Sequence, residues 1–185
     1  MRALRQILAR VHSLDLNGLQ TYETNLALYV GDAGRNVVRR ILKDHCGGNV
    51  EASILRRRVA EEMGYQIKPT RRQSGSIRYR IDDPNSQKGE SDVSDYLRSG
   101  KWRYLVCDSD EAHDFQWYAI DQIKPLLNKL CKPWNHNYLH KYRSLLAKLL
   151  ESPMLAVDQM DSKQTGPGVY VFYHKQRPSH SHLDH

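Results

Sequence analysis

Tyr29, Arg39, Arg40, Lys43 and His45 fall within one short stretch of the chain, and their types suit work on a phosphodiester. A phenol can pass a proton or orient a nucleophile. A guanidinium offers a planar fork of donors to phosphate oxygens. The run Leu26-Ala27-Leu28-Tyr29-Val30 that carries the phenol reads as a buried strand. Gly31 and Gly34 after it form a turn that a ligand can approach closely. Asn36 is a natural N-cap for the next segment. There Val37, Val38, Ile41 and Leu42 share one side of a helix, while Arg39, Arg40 and Lys43 share the other. His45 falls toward the apolar side, where a half-buried, satisfied imidazole and a catalytic one are both open readings. Strand, glycine turn and basic helix are therefore the elements that must position this chemistry.

With 185 residues the chain suffices for one domain, or one domain with a short appendage. Net charge is +7, and all of the excess lies in the first half: residues 1–80 hold 15 Lys and Arg against 7 Asp and Glu, residues 81–185 hold 13 against 14. So one-sided a distribution predicts an acidic partner, of which nucleic acid is the commonest. Cys46, Cys107 and Cys131 are odd in number and widely spaced, which fits reduced thiols rather than a disulfide framework or a zinc site. No apolar run is long enough to span a bilayer, and no secretory signal is legible. A cytoplasmic protein with no membrane contact is expected.

Residues 2–12 read as a short amphipathic helix, and Gly18 to Tyr22 as a strand pairing with Asn25 to Val30. Gly47-Gly48 closes the basic helix. Asn49 is expected to cap a second helix running through Met63, which carries Arg56, Arg57 and Arg58. Residues 65–75 read as a basic loop, and Ser76 to Asp82 as a strand with Ile77, Tyr79 and Ile81 inward and Arg78 and Arg80 outward. Residues 84–93 are polar and read as a surface loop. Lys101 to Cys107 is a strand, followed by a helix with Asp108 and Glu111 as a capping box and Pro125 as its stop. Asn137 caps a helix through Glu151, Val169 to Tyr173 is a last strand, and the end from His174 is polar and His-rich.

Taken in order, these residues resemble the GIY-YIG nuclease superfamily. Tyr29-Val30-Gly31 matches the second half of the name-giving motif, and Asn36 to Ile41 matches the Asn-x-x-x-Arg-aliphatic run after it. His45 stands one residue later than the histidine that often follows. Gln116 to Asn128, ending Lys-Pro-Leu-Leu-Asn, matches the later helix and its closing asparagine. The resemblance implies an α/β fold with a small mixed or antiparallel central sheet flanked by helices, cutting DNA with Mg²⁺ or another divalent cation. It implies Tyr29, Arg40 and His45 as catalytic residues, with Arg39 an alternative phosphate arginine, and Gly31 and Asn128 as structural. DNA contact is expected from Arg39, Lys43, Arg56, Arg57, Arg71, Arg72, Arg78 and Arg80. Residues 1–133 would form the nuclease-like domain, 134–165 a helical segment and linker, and 166–185 a last strand and tail.

The chain departs from the family in two places. The position of the metal-binding glutamate is Gln116, and a neutral amide is a weak ligand for Mg²⁺. The expected first motif is also missing: Gln20 stands where its tyrosine belongs, while Gly168-Val169-Tyr170 supplies a good match at the far end. Three readings follow: a truncated second unit, a chance strand, or a permuted fold in which Tyr170 restores the missing phenol beside Tyr29. For function, a metal-dependent endonuclease with impaired catalysis, a non-catalytic DNA-binding module on the same fold, and an unrelated basic protein binding RNA or a protein remain in competition.

Overall fold

Apolar β-branched and aromatic residues build three strands that share one antiparallel sheet: β1 (Leu26–Ala33), β4 (Lys101–Val106) and β5 (Gly168–His174), in the order β1-β5-β4. The computed structural model describes residues 25–179. The helix and strand expected over residues 2–12 and 18–22 lie outside them, as does the second half of the His-rich tail. β5 is the middle strand, with every residue from Gly168 to Tyr173 buried. A strand that apolar belongs between two others, where both of its edges are paired.

The sheet is covered on both faces. On one, Tyr29, Tyr170, Phe172 and Trp102 pack with Val37, Val38 and Ile41, and with Leu55 and Val59 of α2 (Ile54–Glu62) and Val93 and Leu97 of α3 (Ser86–Ser99). On the other, Val30, Val169, Val171 and Tyr173 pack with Phe115 and Ala119 of α4 (Ser109–Ile123) and Tyr142, Leu146 and Leu149 of α5 (Leu139–Glu151). The outer edge of β1 is closed by the segment after α4. Leu127 N–H donates to the Leu28 carbonyl, and the Asn128 side chain bonds both the N–H and the C=O of Val30 at 2.8 and 2.9 Å. A second, two-stranded sheet stands apart as a hairpin, β2 (Ile67–Arg71) with β3 (Ile77–Ile81).

Several local expectations are corrected. Residues 65–75 are not simply a loop, because β2 occupies part of them and pairs with β3. Residues 84–93 begin α3, capped by the Asn85 side chain on Lys88 N–H. Its polar composition concealed an apolar stripe of Val93, Tyr96 and Leu97 that lies mostly beyond residue 93. Asn49 does not cap α2. Its side chain accepts from Glu51 and Ala52 in a turn, and Ser53 takes the cap, accepting from Arg56 N–H. Asp108 sits at the N-cap of α4 without a side-chain cap bond, and the Glu111 side chain pairs with Lys141, so neither half of the expected capping box forms. Asn137 lies inside a 3₁₀ turn (His136–Tyr138) that Asn135 caps. On β3 only Ile81 is fully buried; Ile77 is exposed and Tyr79 is covered by the Arg57 guanidinium, 4.0 Å from the ring centre.

Candidate functional site

The helix after the glycine turn is not uniform. Asn36 caps it, accepting from Arg39 N–H at 2.8 Å, and Val37–Arg39 is α-helical (α1). From Arg40 to His45 the backbone widens to a π-helix, with Cys46 N–H bonded to the Ile41 carbonyl five residues back. A π turn accommodates one more residue than an α turn. His45, one residue later than the resemblance leads one to expect, is thereby carried round to the sheet face and buried there.

At that face two phenols meet. Cross-strand register sets Gly31 opposite Tyr170 and Tyr29 opposite Phe172, so Tyr29 and Tyr170 are diagonal neighbours on one face. Their rings stack with centres 6.4 Å apart. Gly31 makes this possible, since a Cβ there would strike the Tyr170 hydroxyl. Behind Tyr170, His45 Nε2 lies 2.6 Å from the phenol oxygen, and Nδ1 lies 2.7 Å from Ser53 Oγ, forming a buried Tyr170–His45–Ser53 row.

Burial drives the electrostatics. It pushes the Tyr170 phenol well above its ordinary pKa, with Tyr29 adding to the rise and the Arg40 charge opposing it. Tyr29 is raised by burial as well, and again Arg40 pulls back. Burial holds His45 well below the usual imidazole value, helped by Arg40 and Arg56, so the ring is neutral. A neutral imidazole keeps one lone pair, which lets Nε2 accept from Tyr170 while Nδ1–H donates to Ser53. Arg40 itself is half exposed, bonded to Asp44 at 2.8 Å and reaching the Ala52 carbonyl.

Tyr29, Tyr170, Gly31, Arg40, Gln116 and Asn128 line one cleft of about 390 Å³. Sequence reasoning therefore chose residues that the fold brings together from β1, the π turn, α4 and β5. It missed others on the same cleft. Arg58, rather than Arg56 or Arg57, faces it, one helical turn after the exposed Ile54. Lys129, Lys132 and Trp117 form a rim, with the Lys132 ammonium 5.4 Å from the centre of the indole. Asp32 and His113 also line it, with Asp32 Oδ2 and His113 Nδ1 3.5 Å apart. Asp32 directly follows the Tyr-Val-Gly run, and His113 stands one helical turn before Gln116; those two spacings were the available signals.

The residues expected to touch DNA divide. Arg39, Lys43, Arg71 and Arg80 are exposed. Arg56 is a correction: it is fully buried, donating to the His45 carbonyl, to Ser94 Oγ and to both the carbonyl and carboxylate of Glu90. It ties the π turn to α2 and α3 and offers nothing to a ligand. Arg57 lies over Tyr79, and Arg72 and Arg78 are both paired with Glu51. Asn128 serves the edge of β1 through its bonds to Val30.

The family model of the GIY-YIG catalytic domain matches residues 1–150, and the chain belongs to that family. Nuclease activity is the general character of such domains, and dependence on a divalent metal ion generally accompanies it. Comparison with curated proteins and with solved structures yields no match. The matched span ends before β5, the strand that contributes Tyr170 and the centre of the sheet. No helix among the described residues is long and apolar enough to cross a membrane. Nor does any group of three or more His, Cys, Asp and Glu converge among them as a ready-made metal centre.

Proposed function

We propose that the chain is a DNA endonuclease that hydrolyses a phosphodiester bond in the cleft between Tyr29, Tyr170 and Arg40. The observation that carries this reading is the convergence of two stacked phenols, one backed by a neutral imidazole, with a guanidinium at the cleft wall. Tyr170 stands where the missing first-motif phenol is needed, which favours the permuted reading of the fold. In the reaction, Tyr170 orients and deprotonates the attacking water as its own proton passes to His45 Nε2. Ser53 holds the imidazole in the accepting tautomer. Burial opposes the imidazolium that this transfer creates, as do the Arg40 and Arg56 charges, while Arg40 favours the negative charge that develops beside the phenol oxygen. Arg40 and Arg58 bind the phosphate and stabilise the charge that grows on it in the transition state. Lys129, Lys132 and Trp117 guide the flanking backbone and a base. A divalent cation, when bound, supplies further neutralisation of the phosphate and leaving oxygen.

Gln116, a neutral side chain at the family's carboxylate position, favours the second reading, a DNA-binding module without catalysis. Plasmid nicking with Mg²⁺ or Mn²⁺ separates the two. Cleavage by the native chain that is lost in Arg40→Ala supports the endonuclease. Salt-sensitive duplex binding without cleavage, with cleavage gained in Gln116→Glu, supports the binding module.

A further inference from the structure

Five cations lie between residues 63 and 81 with no carboxylate among them. The fold gathers Lys68, Arg71, Arg72, Arg78 and Arg80 on the β2–β3 hairpin, and none of them lines the cleft. Lys68 to Ile77 is exposed without interruption, so the end of the hairpin projects into solvent. Gly75, at φ +81°, closes the turn, with Arg72 N–H donating to the Ser76 carbonyl at 2.8 Å. The root is fixed. Ile81 is buried, its side chain and that of Tyr65 lie close over Gly89 of α3, Arg57 of α2 covers Tyr79, and Glu51 pairs with Arg72 and Arg78. Arg58, the next residue on α2, faces the cleft, so hairpin and cleft flank one helix.

Register puts Lys68 directly opposite Arg80, and Thr70 opposite Arg78, on the outer face. Like charges directly opposite destabilise a strand pair, and two strands alone are marginally stable in water. Asp82, 3.5 Å from Lys68 and itself exposed, relieves little of this repulsion. A polyanion relieves it, and the shape of the ribbon selects which one. Two strands roughly 4.8 Å apart, with their side chains, fit the major groove of B-DNA, which is about 12 Å wide. The minor groove, about 6 Å wide, is too narrow, and the major groove of an RNA duplex is deep and closed to side chains. Lys68 and Pro69 on β2 discourage a further protein strand from pairing there. We propose that the β2–β3 ribbon lies in the major groove of duplex DNA, beside the stretch held by the cleft, with Lys68, Arg71 and Arg80 carrying the contact. The proposal rests on the DNA reading of the cleft for the identity of the polyanion, but not on whether the cleft cuts.

The test compares the native full chain with a variant carrying Lys68→Gln, Arg71→Gln and Arg80→Gln, all at exposed positions. Each is bound to a short DNA duplex, to an RNA duplex of the same sequence and to a single DNA strand. Fluorescence anisotropy across salt concentrations reads affinity. Protection of guanine N7 from dimethyl sulfate reads the groove, since N7 faces the major groove. The variant should bind duplex DNA about tenfold or more weakly, with a salt slope shallower by about 2.7, or about 0.9 for each cation removed. The guanine N7 protection given by the native chain should fall with it. Binding to the RNA duplex and to the single strand should weaken less, because neither offers that groove. A urea midpoint confirms that the variant is folded, and Arg71→Gln alone should reproduce about a third of the slope change. Native affinity and slope in the variant overturn the proposal. So does an unchanged guanine N7 footprint, and so does an equal loss on all three nucleic acids, which makes the ribbon a general polyanion surface. The ribbon effect as described, with no plasmid nicking by the native chain, leaves the groove contact standing and overturns the endonuclease. Nicking that is lost in Arg40→Ala, with a ribbon variant that binds as the native chain does, does the reverse.

Discussion

At the residue scale, the decisive geometry is the buried row from Tyr170 through His45 to Ser53. Tyr170→Phe preserves the ring but leaves His45 Nε2 without its partner, at a stability cost of about 1–3 kcal/mol. It should also abolish nicking while leaving duplex binding intact, as a gel-shift assay beside the plasmid assay would show. Arg40→Ala should lower nicking about 10²–10³-fold, the scale of losing one positioned donor to a developing oxyanion. His45 makes stability depend on pH in a defined direction. Its folded pKa lies below the unfolded value of 6.5, so below that pH the unfolded chain binds the extra proton first. The stabilisation from keeping the ring neutral is complete above about 6.5 and is lost as pH falls toward the folded value, at up to about 1.4 kcal/mol per pH unit. Urea midpoints should therefore drop between pH 7.5 and 5.5, and His45→Gln should flatten that drop. The same residue shows how much of the site was legible. Tyr29, Arg40 and the tyrosine of β5 could be read as types at spacings. The π turn that seats His45 could not, because helical periodicity assumes one pitch, and a single widened turn leaves no mark in the pattern of apolar residues.

At the element scale, the basic residues of α2 show the limit of reading charge as surface. Arg56, Arg57 and Arg58 are consecutive, so a helix sends them in three directions. Arg58 goes to the cleft, Arg57 onto Tyr79, and Arg56 inward to Glu90, Ser94 and the His45 carbonyl. The inward choice depends on α3, whose polar opening sequence does not disclose that it packs there. Arg56→Ala should cost about 3 kcal/mol, because it removes the charged partner of the Glu90 carboxylate and the side-chain donor to the His45 carbonyl at once. It should loosen the π turn as well, since Arg56 anchors the last carbonyl of that turn. Hydrogen exchange at Ile41 to Cys46 would report this directly, with faster exchange there than in α5. An unchanged pattern would mean that the π turn is fixed by α1 and the sheet alone. Strands fared better than caps in the sequence, because burial on both faces makes β5 one continuous apolar run, and β4 keeps apolar residues at alternate positions. Caps depend on single side chains with near-equivalent rivals, as Asn49 against Ser53 illustrates.

At the scale of the whole molecule, the order of strands in the chain differs from their order in space. β5 comes last in sequence yet lies between β1 and β4, with His174 paired to Leu26 and Gly168 to Ala33. Neighbouring strands lie roughly 4.8 Å apart, so removing β5 would leave β1 and β4 about twice that distance apart, each without its partner strand. A chain ended at Gln164 would lose the central strand, Tyr170 and the contacts of both core clusters. It should fail to show a cooperative unfolding transition. Because the end of β5 and the start of β1 are adjacent, the connection between them can be remade. Joining the two termini of the full chain through a flexible linker, and opening it instead at the exposed stretch around Lys163, would put β5 ahead of β1 in sequence without moving either in space. The rearranged chain should fold, with a urea midpoint near that of the native chain, and should keep duplex binding and nicking. Loss of the cooperative transition on rearrangement would show instead that the present strand order is needed for folding.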